Sequence, residues 1–258
     1  MTIREVYDWL DRLAPFDTQE DFDNSGLLLG HPDAPVRRVF FTLDVTDACL
    51  AEAEKFGADL VISHHPLIFH PRTHLREDDH EAALLCRMIR RGMGLISAHT
   101  NLDQADGGIN DTLVHLLGLE PLPEHTRYVR AGKLPQPMTC AELEAYVSER
   151  LHTPVRVMGS GNVPLIQTLA VSSGAGSDFW PEAAALGAQA FLSGEVRHHH
   201  ALAMNAQGMI ALEAGHDATE KPGILALADA LQSWFHAVEY DAIVCKSEAD
   251  TYTLSPSL

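Results

Sequence analysis

Apolar and polar positions along this chain fall into runs of two alternating kinds. Ile3, Val6, Leu10 and Leu13 recur at helical spacing behind Thr2, Glu5 completes a capping box with Thr2, and Pro15 closes the segment. Residues 36–45, 58–63, 93–98, 155–158, 165–172, 190–193, 209–214 and 238–246 are short apolar runs of strand type. Helical patterns lie between them at 47–56, 78–91, 110–117, 139–151, 177–186, 196–206 and 224–235, and Gly57, Gly92, Gly118 and Gly187 stand where helices end. Such alternation predicts an α/β fold with helices packed on largely parallel strands.

The pattern also repeats. Lys55-Phe-Gly-Ala-Asp-Leu-Val-Ile-Ser63 resembles Ala185-Leu-Gly-Ala-Gln-Ala-Phe-Leu-Ser193, and each is followed by an Ala-rich helix reaching Gly92-Met93 or Gly208-Met209 and then a strand. The reading is a duplicated β-α-β-α-β unit, with residues 1–125 and 126–258 as two α/β halves of a layered αβα subunit. The Pro- and Gly-bearing stretch 120–137 is the boundary; chance similarity between α/β segments is the rival account.

Duplicated halves would deliver polar residues from the carboxyl ends of equivalent strands, where open α/β sheets place ligands. Three clusters stand there: Ser63-His64-His65-Pro66, His99-Thr-Asn-Leu-Asp103 and His216-Asp-Ala-Thr-Glu220. Extended neighbours point to opposite sides, so His64 and His65 suit one ion each of a pair better than a single ion. Each cluster also has a plain reading: polar strand ends, a helix cap at Asn110, and Glu220 at the favourable end of a helix whose first turn tolerates Pro222. Three histidine–carboxylate clusters behind three apolar strands are harder to dismiss than one. His198 and His199 either line the same cleft or form a solvated helix face, and His70, His74 and His80 read as surface residues. The turn Ser172-Ser-Gly-Ala-Gly-Ser177 could cradle an anion or be an ordinary connection. No His-Glu-x-x-His or Walker A sequence occurs, and Gly159-Ser-Gly161 lacks the third glycine of a dinucleotide loop.

Composition sharpens this picture. With 46% hydrophobic residues the chain can bury a core, and 36 Asp+Glu against 18 Lys+Arg give a formal charge of −18. That field repels nucleic-acid polymers and anionic lipid, so neither is an expected partner. Fifteen histidines in such a chain raise the prospect of a metal site. Cys49, Cys86, Cys140 and Cys245 are widely spaced, without a Cys-x-x-Cys pair, and read as reduced structural thiols. The amphipathic N-terminus is not of signal-peptide type, and no apolar run approaches membrane-spanning length. A cytoplasmic location is expected.

Asp23-Asn-Ser-Gly-Leu-Leu-Leu-Gly30, Ile62-Ser-His-His-Pro-Leu-Ile-Phe69, His99-Thr-Asn-Leu-Asp103 and Gly215-His-Asp-Ala-Thr-Glu220, in this order, resemble the Nif-three-like dinuclear metal-centre family, also called GTP cyclohydrolase I type 2 homologs. The resemblance covers nearly the whole chain. It implies a toroidal homohexamer of α/β subunits in the compact form, without the inserted middle domain of longer members. It also implies two divalent cations per subunit on His64, His65, Asp103, His216 and Glu220, with the segments Gly194–His199 and Gly174–Gly176 nearby. This donor set suits Zn, Mn, Fe, Ni or Co. The expected function is a dinuclear metal-dependent hydrolase of a small molecule, such as a nucleotide opened in the manner of GTP cyclohydrolase. Metal-activated water would attack, and Glu195 or His99 would carry protons. The alternatives are a metal-dependent phosphoesterase and a non-catalytic metal-binding or partner-binding ring. Pro66-Leu-Ile-Phe69 and Trp180-Pro181 supply apolar surface for assembly or for burial within the subunit.

Overall fold

The computed structural model describes residues 1–159 and 165–249; Ser160 and Gly161 of the glycine pair noted above lie outside them. The chain forms α1 (Ile3–Leu13), β1 (Gly26–Leu29), β2 (Arg38–Thr42), α2 (Asp47–Phe56), β3 (Leu60–Ser63), α3 (His80–Arg91), β4 (Gly94–Ser97) and the short α4 (Thr100–Gln104). It continues through α5 (Ile109–Leu116), β5 (Glu120–Pro121), β6 (Arg130–Met138), α6 (Cys140–Leu151), β7 (Arg156–Met158) and β8 (Ile166–Ser172). Then come α7 (Trp180–Ala185), β9 (Ala190–Ser193), α8 (His198–Ala206), β10 (Ile210–Glu213), α9 (His216–Ala237) and β11 (Ile243–Lys246). The fold is α/β, as the alternation predicts.

Contacts divide the chain into two compact units, residues 1–105 with the described residues from 224 onward, and residues 106–223. These are not the consecutive halves 1–125 and 126–258, because β11 returns to pair parallel with β2 in the first sheet. The stretch 120–137 is likewise no linker: it carries β5 and most of β6. Pro135 and Pro137 mislead there. They fall between Lys133 and Met138, where the pairing of β6 with β8 shifts register and a missing N–H costs little.

Each unit has its own sheet, in the orders β1-β4-β3-β2-β11 and β5-β6-β8-β9-β10-β7. Within them β2-β3-β4 and β8-β9-β10 are parallel triplets of matching register: Thr42 pairs with Ser63 and Ser63 with Ser97, while Ser172 pairs with Ser193 and Ser193 with Glu213. Each triplet has an antiparallel strand beside its last member, β1 on β4 and β7 on β10. This correspondence, strand for strand, is what a duplication leaves.

Burial explains why the central strands are apolar on both faces. In the second unit Leu169, Val171, Leu192 and Leu212 pack with α5 and α6 residues such as Leu113, Leu143 and Val147. The alternate residues Ala170, Phe191 and Ala211 pack with Ala183, Ala201 and Met204 of α7 and α8. In the first unit Phe40, Val61 and Leu95 meet Leu50, Ala53, Leu84 and Met88 of α2 and α3. Val39, Phe41, Leu60, Ile62 and Ile96, which alternate with them, are buried as well. α1 starts on the expected capping box of Thr2 and Glu5. Its Trp9 stacks on Trp234 of α9, with ring centroids 5.6 Å apart. Leu67 packs on the first unit's core and Trp180 on the second's, so both are held within their own units. The four cysteines are free thiols.

Two helix ends differ from expectation. The N-cap of α5 is Gly108, without a side-chain cap. Asn110 is buried inside the helix, where its Oδ1 accepts the Ser173 amide at 2.8 Å. α9 begins at His216 and not near Ile224, which puts Pro222 in the helix interior. Pro222 supplies no amide to the Ala218 carbonyl four residues before it.

Candidate metal centre

β3 ends at Ser63, and the chain that follows is not pleated. The consecutive amides of His64 and His65 donate to the consecutive carbonyls of Thr42 and Leu43, at 3.2 and 3.0 Å. A regular strand turns only alternate amides to one neighbour. The two rings therefore come together, with centroids 4.9 Å apart, where strict alternation would separate them. His99, just beyond β4, completes a triangle with centroids 5.2 Å from His64 and 5.4 Å from His65. One nitrogen of each of the three lies within 4.8 Å of the others, a spacing that could hold a metal ion.

The outward-facing nitrogen of each ring is set by the partner of the other. His64, fully buried, donates from Nδ1 to the Ala98 carbonyl at 2.8 Å. His65 donates from Nδ1 to Asp44 Oδ1 at 2.8 Å, and His99 from Nδ1 to Asp23 Oδ1 at 2.8 Å. Carbonyl and carboxylate oxygens only accept, so each of these Nδ1 atoms donates, and Nε2 is the nitrogen left to face the cluster. His64 Nε2 lies 3.5 Å from Asp103 Oδ1 on α4. Asp23, whose side chain is fully buried, also accepts the Thr100 hydroxyl, the Thr100 amide at 3.1 Å and the Asn24 amide at 2.7 Å. Burial alone would raise its pKa; the bonds from His99 and Thr100 outweigh it and hold the carboxyl well below the usual range.

The second unit repeats the device. α9 opens on His216, so His216 and Glu220, at i and i+4, share one helix face. His216 donates from Nδ1 to Glu195 Oε1 at 2.7 Å, and its Nε2 lies 3.1 Å from the buried Glu220 Oε2. Two glycines make room. Gly174 has φ +56°, and a Cβ there would stand 2.0 Å from Glu220 Oε1 and 3.1 Å from His216 Nε2. At Gly194 a Cβ would stand 2.8 Å from the His216 Cα. The glycine turn is thus a wall beside His216 and Glu220. Two of its amides are engaged, Ser173 on Asn110 Oδ1 and Gly174 on Thr219 Oγ1 at 3.0 Å.

His64, His65, His99 and Asp103 are therefore close neighbours in the first unit, and Glu195, His216 and Glu220 in the second. Glu195 supports the His216 ring from an exposed position. His198 and His199 are exposed on α8, while His200 turns in to Ser177 Oγ at 3.1 Å. His70, His74 and His80 are exposed. Asp23 and Asp44 escape sequence reasoning as ring-orienting residues. Asp44 stands two residues past the apolar β2 as His65 stands two past β3, and that position at a strand end is the signal that could have found it.

Histidines oriented through Nδ1 and grouped with carboxylates, at the ends of matching α/β strands, define a class of protein able to take a divalent metal. The chain belongs to the Duf34/NIF3 (NGG1p interacting factor 3) family, whose profile matches residues 1–251. Among its relatives is a Streptomyces coelicolor protein named GTP cyclohydrolase 1 type 2 homolog, 36% identical over 85% of this chain and 82% of its own. A Clostridium perfringens protein of the same name is 28% identical over 98% and 99%. Among solved structures, the Staphylococcus aureus hypothetical protein SA1388 superposes with a TM-score of 0.90 at 27% identity, covering 99% of each chain. No described helix is long and apolar enough to cross a membrane.

Proposed function

We propose that this chain is a metal-dependent hydrolase of a small molecule, with divalent cations on His64, His65 and Asp103 of the first unit and His216 and Glu220 of the second. Two cations per chain is the number the family resemblance implies. The observation that carries the reading is the common state of the histidines: each has its Nδ1 proton engaged by a carbonyl or carboxylate, the support that metal-ligating imidazoles characteristically receive. Gly174 adds to it, since its lack of a side chain leaves space beside Glu220 and His216. Mixed imidazole and carboxylate donors suit Zn, Mn, Fe, Ni or Co.

Divalent cations held there would supply Lewis acidity for a hydrolysis. The chain's own groups do the rest. Asp44, Glu195 and the Ala98 carbonyl fix the ligand rings, and Asp23 fixes His99. Glu195, at an exposed rim, and His99 are the groups proposed to carry protons. The names of the relatives support GTP as the first substrate to test, with other nucleotides and phosphoesters next. The same reading expects a cytoplasmic homohexamer, measurable as a multiple of the 28.2 kDa chain by light scattering.

Protein refilled with each metal should be screened against nucleotides. Turnover that disappears in Glu220→Gln supports a hydrolase. No turnover at full metal occupancy with any of them favours a non-catalytic metal-binding ring.

A further inference from the structure

An aromatic pair, one ring exposed and the other half-buried, flanks the histidine triangle of the first unit. Phe22 precedes Asp23 and is 64% exposed, an uncommon state for so large an apolar ring. Phe69 lies in the loop that follows His65, and its ring centroid lies 6.4 Å from that of Phe22 at a 45° tilt. It also meets His99 edge-on, with centroids 6.2 Å apart. The loops that carry these rings are tied together. Asn24 Nδ2 donates to the Ile68 carbonyl, which ties the two loops together, and Ser25 N donates to Gln19 Oε1 at 2.6 Å. Asp23, between them, is fixed by His99 and Thr100. From Phe69 a cleft of about 290 Å³ runs past His70, Arg72, Thr73 and His74 to Glu81.

We propose that Phe22 and Phe69 form a stacking platform for a planar heteroaromatic ring, placing the reactive part of the ligand at His64, His65 and His99. The inference rests on the hydrolase reading and narrows its substrate class to molecules with such a ring, a nucleotide base among them. Three features point this way. The loops that bear the rings are fixed by polar contacts. They continue the candidate metal centre through the Phe69–His99 contact. The adjoining cleft is near the lower limit of small-ligand sites, ~300 Å³. Stacking on aromatic side chains is tolerant of ring identity, so the platform selects for a flat ring without choosing among bases.

The test is binding, measured by calorimetry on the full chain, of GMP, AMP and FMN against ribose 5-phosphate, which lacks the ring. At least one ring-bearing probe should bind tighter than ribose 5-phosphate. Phe22→Leu and Phe69→Leu should each weaken it by about tenfold and leave ribose 5-phosphate unchanged. Phe22→Trp should restore binding, and its fluorescence should be quenched by the stacked probe. The proposal is overturned if no ring-bearing probe outbinds ribose 5-phosphate, or if both leucine variants bind as the wild type does. Metal content, measured on the same samples, separates the two readings. Unchanged metal with ring-independent binding removes the platform alone, whereas ring-dependent binding by a chain that takes up no metal removes the hydrolase and keeps the platform.

Discussion

Replacing Gly174 by alanine tests how tightly the backbone is built around Glu220. The added Cβ would lie 2.0 Å from Glu220 Oε1, and real contacts of this kind essentially never fall below 3.0 Å, so one group must retreat by about 1 Å. The φ of +56° adds a left-handed cost of roughly 1–2 kcal/mol, and crowding in a packed region roughly 1–3 kcal/mol more. Metal–ligand distances tolerate only about 0.2 Å, so a carboxylate moved by about 1 Å leaves the coordination shell. Gly174→Ala should therefore lower metal affinity by at least about 10–100-fold, measured by chelator competition, with a parallel loss of stability in urea. Gly208→Ala is the control, because Gly208 has φ +77° and nothing within 4 Å of its added Cβ. It should share the left-handed strain and keep the metal affinity. Equal metal affinity in both variants and the wild type would refute the reasoning.

Other expectations are simpler to check. Asp44→Asn removes the carboxylate that accepts the His65 Nδ1 proton and should weaken metal binding by about 10–100-fold while leaving the circular dichroism spectrum unchanged. Asn110→Ala leaves the buried Ser173 amide without its acceptor and should cost about 1–3 kcal/mol in urea unfolding, with Asn110→Asp retaining part of it. Metal affinity should fall as pH drops below about 6.5, because histidine ligands bind as neutral imidazoles and protonation competes with the cation. An affinity flat from pH 8 to pH 5 would show that imidazole is not ligating.

Much of this architecture is legible in the chain because its signals are local. Apolar runs ended by serine, preceded by glycine-closed helices, mark β3 and β9, and their register matches as the repeat read from 55–63 and 185–193 expects. The position of His64, His65, His99 and His216 at strand ends is legible for the same reason. What escapes depends on distant partners. β11 carries an ordinary apolar pattern, and nothing in it reveals that it joins β2 some 200 residues earlier. β1, of four residues, is too short to show a period. Asp23 reaches His99 across 76 positions, and Asp44 reaches His65 across 21. The start of α9 at His216 was readable from the i, i+4 spacing to Glu220, but Pro222 argued for a later start.

The central claim is that these residues hold metal. Elemental analysis of the purified chain, loaded with Zn, Mn, Fe, Ni or Co and freed of excess, tests it directly. The account predicts up to two ions per chain in the wild type and loss of most of them in His64→Ala/His65→Ala, with a helical signal that does not change. Full occupancy in that double variant, or a wild type that retains none of the five metals, would contradict it.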